Sequence, residues 1–205
     1  MTDKGDTKAR ILDAAEKLFG MNGFEATSLR EITTEASVNL AAINYHFQTK
    51  DSLIDAIVAR RIEPVNKRRF ELLDAAGPKP TLEQILTAFM APVMQVKTDA
   101  MVPLIGRILS NPDLFVDRVF RKHLAPVSQR FSEALFKALP DLPPSELLWR
   151  LHFSVAVMTH TMLWGKVYPK ITNGICDISD RDALVDRAVR FVAAGFRAPA
   201  SQESD

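Results

Sequence analysis

The chain has 205 residues, 47% hydrophobic and 25% charged, a composition near the globular average that excludes wholesale disorder and a fibrous architecture. Lys and Arg number 26 against 25 Asp and Glu; a formal net charge of +1 excludes a broadly polybasic nucleic-acid coat but not a local binding surface. The single cysteine, Cys176, rules out an intrachain disulfide and a cysteine-built metal cage, and fits a reducing compartment.

Glycine is scarce, the prolines fall between periodic segments, and no sustained strand-like alternation occurs, so the pattern is all-α. The N-terminal residues carry acids rather than a secretory-type apolar core. A first helix places Ile11, Leu12, Ala15, Leu18 and Phe19 on one stripe and ends at Asn22-Gly23. A second opens with the capping box Ser28–Glu31 and buries Leu29, Ile32 and Ala36. After a break at Ser37-Val38, a very short third helix runs over 40–47, capped by Asn39 and anchored by Ile43 and Phe47. A fourth begins near Lys50 and continues toward Leu73, with a kink or break expected at Pro64. Residues 75–80 are a breaker.

Beyond it, the Thr81–Gln84 capping box leads into Leu82, Ile85, Leu86, Phe89 and Met90. A short segment over 102–109 precedes Asn111-Pro112, which starts a helix reaching Leu139 with a bend at Pro126. Residues 144–168 are apolar on nearly all sides, as for a helix buried against two partners, yet the 147–164 stretch holds Arg150, His152, Ser154, Thr159, His160 and Thr161, which are costly against lipid. A last helix over 182–197 aligns Leu184, Ala188, Phe191, Val192 and Gly195. No membrane partner is expected, and a soluble, cytoplasmic protein is.

Two short helices joined by a three-residue turn form a helix-turn-helix over about 29–48, which many all-α proteins contain. The residues are more specific than the spacing. Phe24-Glu25-Ala26-Thr27-Ser28-Leu29-Arg30-Glu31-Ile32, then Ala36, Val38, Ile43, Tyr45-His46-Phe47, Lys50 and Leu53, resemble the N-terminal signature of the TetR family of transcriptional regulators, over about residues 7–60. Ser37 stands where the family usually has glycine, Ala41 where glycine or proline is frequent, and Asn44 where an aromatic is usual. The resemblance implies a DNA-binding domain over 1–60, joined by a long fourth helix to an effector-binding and dimerisation domain over 61–205. It also implies a double-stranded DNA operator, a homodimer and a small effector as partners. No cofactor, metal or catalytic residue is expected.

Chemistry gives each position a role. Leu40, Ala41 and Ala42 lie nearest the bases, their apolar surfaces suited to thymine methyls, and Asn44 can read adenine bidentately. Tyr45 and His46 either hydrogen-bond phosphates or pack against the first or fourth helix. Arg30 matches a DNA-contacting position of the family and reaches guanine or phosphate. Lys50 joins the N-terminal amides of the fourth helix in holding a phosphate. Residues 1–60 hold seven Lys or Arg against nine Asp or Glu, a net of −2, so nonspecific electrostatic affinity is modest.

In the family the last two long helices pair between subunits; here they are the segments around 147–164 and 184–196. The effector-pocket candidates are Phe89, Met90, Met94, Met101, Phe153, Met158, Met162 and Trp164, flexible thioethers and aromatics that suit an apolar ligand or plain core packing. His152 and His160 lie about 80° apart around a helix, poorly placed to share a metal. Arg60, Arg61, Lys67, Arg68 and Arg69 read most simply as a solvated face of the fourth helix. The competing readings are a helical enzyme, which no nucleophile or phosphate loop supports, and a protein-interaction module that does not read DNA.

Overall fold

The structure, a computed structural model, describes residues 4–96, 106, 108, 110 and 115–200. Its helices are α1 (Lys4–Asn22), α2 (Leu29–Ala36), α3 (Leu40–Phe47), α4 (Lys50–Ala75), α5 (Leu82–Met94), the π-wound α6 (Phe115–Leu124), α7 (Ala125–Ala138), α8 (Pro144–Trp164), the single turn α9 (Tyr168–Ile171) and α10 (Arg181–Arg197). No strand occurs among the described residues. The expected helix start at Asn111-Pro112 and nearly all of 102–109 lie outside them. By internal packing the chain divides into two units, Met1–Glu63 with Thr98–Leu124, and Pro64–Lys97 with Ala125–Asp205.

In the first unit, Ile11, Ala15 and Phe19 of α1 meet Ile32 of α2, Ile43 and Phe47 of α3, and Leu53 and Ile57 of α4 in one core. α1 stops where Gly23, at φ +90, adopts the left-handed conformation and donates its amide to the Phe19 carbonyl, 3.0 Å. The Thr27 hydroxyl, fully buried, bonds the Gly23 carbonyl at 2.8 Å and so fixes the entry to α2. The α2 capping box forms as its sequence dictates: the Glu31 amide donates to Ser28 Oγ at 3.2 Å and the Ser28 amide to Glu31 Oε2 at 2.7 Å. Asn39 caps α3 through the Ala42 amide, 2.9 Å.

The turn between α2 and α3 carries strain. Ser37 closes α2 at φ 52, ψ 50, a left-handed position where a side chain costs about 1 kcal/mol relative to glycine. Arg10 of α1 stabilises that turn by donating Nη2 to the Ala36 and Ser37 carbonyls.

α4 passes through Pro64 without a break and contributes to both units. Its arginines do not form the solvated face that the sequence implies. Arg61 donates Nε and Nη2 to Glu16 of α1 at 2.7 and 2.8 Å, and that carboxylate is 2% exposed. Arg60 pairs with Asp13 on the same helix. Arg69 is buried, and only Lys67 and Arg68 face solvent. A charge pattern on one helix cannot report partners contributed by another, so α1's acids were invisible to it.

In the second unit α5, α7, α8 and α10 enclose a core built on Leu86, Phe89, Met90, Met94, Phe131, Leu135, Leu147, Met158 and Val189. Two further expectations are corrected here. The segment over 144–168 is not one helix buried on both sides: α8 ends at Trp164, where a side chain at Gly165 would collide with Ile178, and it buries one face only. On α10 the buried stripe is Val185, Ala188, Val189, Val192, Ala193 and Phe196, which leaves Phe191 and Gly195 outside. In both helices the outward residues are apolar, so hydrophobicity alone did not separate core from surface.

Two substitutions test these contacts. Arg61→Met strands the Glu16 carboxylate and should cost about 3 kcal/mol in urea denaturation, whereas Glu16→Leu with Arg61→Leu should recover most of it; equal losses would show the ion pair itself to be stabilising. Ser37→Gly should raise stability by about 0.5–1 kcal/mol, and a loss would contradict the left-handed turn.

Candidate nucleic-acid interface

α3 is two turns long, and its residues sort cleanly by face. Ile43 and Phe47, four apart, are 0% and 4% exposed and hold the helix to the first unit's core. Ala41, Asn44 and Tyr45 turn away from that core and are exposed, Tyr45 at 64%, and Leu40 is exposed at the start of the helix. Ala42 and His46 lie at the margins, half-buried: Ala42 packs on the core, and His46 stands edge-on to Tyr45 at 5.1 Å between ring centres and tilted to Phe47 at 6.0 Å. His46 is thus half-buried, in ring contact with its two neighbours on α3.

Arg30 projects into solvent from the first turn of α2, while its own carbonyl accepts from the Thr33 and Thr34 hydroxyls at 2.7 and 3.0 Å. Lys50, half-buried at the start of α4, extends Nζ toward the Glu25 carbonyl, 3.5 Å, and adds to the field on Glu31. The backbone and hydroxyl donors of Ser28, with Lys50 beside them, hold the Glu31 carboxyl below the ordinary glutamate value. This keeps it ionised and committed to the cap. The N-terminus of α4 is set by Thr49, whose hydroxyl accepts the Ser52 amide at 3.0 Å.

All eight residues expected at a DNA surface thus fall within the described part of one unit, on the outer side of α3 and the first turns of α2 and α4. Three residues that orient this surface escaped the sequence reading. Arg10 ties α1 to the turn, Lys17 ties α1 to α2 through Glu35 at 2.6 Å, and Lys122 ties α6 to α4 through Asp55 at 2.5 Å. Each joins residues at least 18 positions apart, and no short-range pattern reveals such a pairing.

The effector-pocket candidates separate. Phe89, Met90, Met94 and Met158 sit together in the second unit's core, whereas Met162 is buried without joining that cluster. Phe153 and Trp164, 57% and 47% exposed, lie on the outer face of α8, stacked on Trp149 at 5.8 Å and on His160 at 5.7 Å. They do not join the other candidates. Met101 lies outside the described residues.

Comparison with known proteins gives matches to both the N-terminal and the C-terminal part of the chain. Residues 11–57 match the family model for bacterial regulatory proteins of the tetR family, and residues 87–195 match that for the tetracyclin repressor-like C-terminal domain. A probable HTH-type transcriptional regulator of Bacillus subtilis, YttP, is 36% identical over 83 residues, 40% of either chain. An HTH-type transcriptional repressor of Mycobacterium tuberculosis is 33% identical over 85 residues, 42% of this chain and 43% of its own. The matched region is thus about two fifths of the length of these curated relatives. Among solved structures, AmtR of Mycobacterium smegmatis superposes with a TM-score of 0.61 at 22% identity over 93% of this chain and 88% of its own. A TetR-family regulator of Streptomyces coelicolor gives 0.59 at 17% over 94% and 95%. No helix among the described residues is long and apolar enough to cross a membrane. With both parts of the chain matched by family models and the all-α architecture shared, the protein belongs to the TetR family of bacterial transcriptional regulators.

Proposed function

We propose that the protein is a ligand-responsive repressor that binds a palindromic DNA operator as a homodimer and is released by a small apolar effector. The observation that carries this reading is the two-faced α3, anchored by Ile43 and Phe47 with small and polar residues exposed opposite them. An eight-residue helix so held is sized for a major groove. Leu40, Ala41 and Ala42 let its first turn approach the base edges and meet thymine methyls, and Asn44 supplies the bidentate amide for adenine. Tyr45, His46, Arg30 and Lys50 serve phosphates, with Arg30 also within the chemistry of guanine.

One such helix reads a few base pairs, so two copies are needed. Trp149, Phe153 and Trp164 on α8 and Phe191 on α10 are each 47–71% exposed. His152, Ala156 and His160 continue the α8 face. An apolar patch of this kind on a protomer marks a partner surface, and pairing two copies through it satisfies both. α4 then serves as the connection by which an effector among Phe89, Met90, Met94, Met158 and Met162 changes the spacing of the two readers. The repressor assignment follows the Mycobacterium tuberculosis relative, whose name carries it.

Three outcomes test the reading. On DNA from upstream of its own gene, Asn44→Ala should weaken specific binding at least tenfold with nonspecific binding unchanged; no specific shift, or one indifferent to the substitution, leaves a helical interaction module instead. The log-log salt slope for the bound dimer should be shallower than about −8, because few cations are available to displace counterions. Phe153→Glu with Phe191→Glu should give folded monomers by sedimentation with lost operator affinity, and a persisting dimer would place the interface elsewhere.

A further inference from the structure

The polar edge of α1 is fastened on two sides within the first unit. Lys17 pairs with Glu35 of α2 at 2.6 Å, and Asp13 and Glu16 receive Arg60 and Arg61 of α4. Arg10, a turn before Asp13 and half-buried, binds backbone instead: its Nη2 donates to the Ala36 carbonyl and, at 2.8 Å, to the Ser37 carbonyl. The amides of Ser37 and Val38 return to the Thr34 and Thr33 carbonyls at 3.1 and 3.0 Å, and Arg10 takes two of the carbonyls that follow. Residues 37–39 then carry the chain into α3. Ser37 stands at φ 52, ψ 50, Val38 packs against the first unit's core, and Asn39 is extended at φ −88, ψ 162 and caps α3.

A residue with a Cβ gains by leaving the left-handed region, so a serine there requires an outside restraint that a glycine would not. Arg10 supplies one. The Ala36 carbonyl belongs to the peptide plane before the Ser37 Cα and the Ser37 carbonyl to the plane after it, so one nitrogen holding both fixes the two dihedrals of Ser37 together. The positive charge also complements the carbonyl end of α2. Those two dihedrals set the direction in which α3 leaves. Ile43 and Phe47 determine how closely α3 sits on the core, but apolar contacts are non-directional and tolerate a tilt. α3 rises about 12 Å over its eight residues, so a tilt of about 10° moves its far end by about 2 Å. That breaks a bidentate contact to a base, which tolerates roughly a few tenths of an ångström. We propose that Arg10 is a positioning residue for operator discrimination: it holds Ser37 in the conformation from which α3 meets the bases, and does not itself touch DNA. The inference rests on the reading of α3 as the recognition helix.

The test uses the full-length protein and random-sequence duplexes enriched on it by rounds of selection. A scrambled duplex of the same length and composition is the nonspecific reference, and circular dichroism reports the folding of each variant. Arg10→Met should lower affinity for the selected duplex about tenfold while affinity for the scrambled one stays within about twofold and the log-log salt slope is unchanged. Direct contact between Arg10 and a phosphate gives the opposite pair of results: a loss shared by both duplexes and a slope shallower by about 0.9 per subunit. Ser37→Gly supplies the second arm, because in that background Arg10→Met should cost no more than about threefold. An equal loss in both backgrounds, a shared loss, a shallower slope, or discrimination retained by Arg10→Met alone overturns the proposal and leaves the DNA reading standing. If selection on the unaltered protein enriches no sequence, both fall. Should Arg10→Met fail to fold, Arg10→Lys, which keeps the charge but lacks the planar fork, decides by the same comparison: its loss of discrimination should be smaller with Ser37→Gly than without it, and equal losses overturn the proposal.

Discussion

An eight-residue helix has too few hydrogen bonds to repay its nucleation, so α3 exists only because Ile43 and Phe47 are buried. That constraint organises the first unit. α1 provides Ile11, Ala15 and Phe19, α2 provides Ile32 and Ala36, and α4 provides Leu53 and Ile57, which together form the socket for those two side chains. The aim of Asn44 is then inherited from the core: the same turn that seats Ile43 presents Asn44 and Tyr45 outward. Rigidity of this exposed face is a packing property before it is an electrostatic one.

Charge is used mainly for alignment within the protein. Arg10 closes the turn after α2, Lys17 bridges α1 to α2, and Arg60 and Arg61 fasten α4 to α1, so these four cations are engaged internally. The remaining cations at the proposed DNA surface, Arg30 and Lys50, suffice for positioning but not for a strong nonspecific hold. A net charge of −2 over the first 60 residues is thus compatible with the proposed DNA reading, in which amides, hydroxyls and small apolar surfaces carry the discrimination, while acids such as Asp13 and Glu16 partner structural arginines.

The sequence made the helices legible because their termini carry local chemistry. The boxes Ser28–Glu31 and Thr81–Gln84 and the Asn39 cap each involve residues three apart, and all three form. The face of α3 was likewise readable from Ile43 and Phe47. What could not be read was set by distant chain. Arg69 looks like one more cation on a basic helix until α5 brings the Phe89 carbonyl to it. Phe153 and Phe191 look like core until the packing shows that each helix buries its other side. An aromatic destined for a partner copy and one destined for the protomer's own core have the same transfer free energy, and so the same appearance in sequence.

α4 is where these threads meet. Arg60 and Arg61 bind it to α1, Arg69 binds it to α5, and Pro64 lies between, removing the amide that would have bonded the Arg60 carbonyl. With Glu16 buried, the Arg61 grip cannot be released cheaply, because separation would leave a carboxylate in a low-dielectric interior. The Arg69 grip, made to neutral acceptors, is the softer of the two.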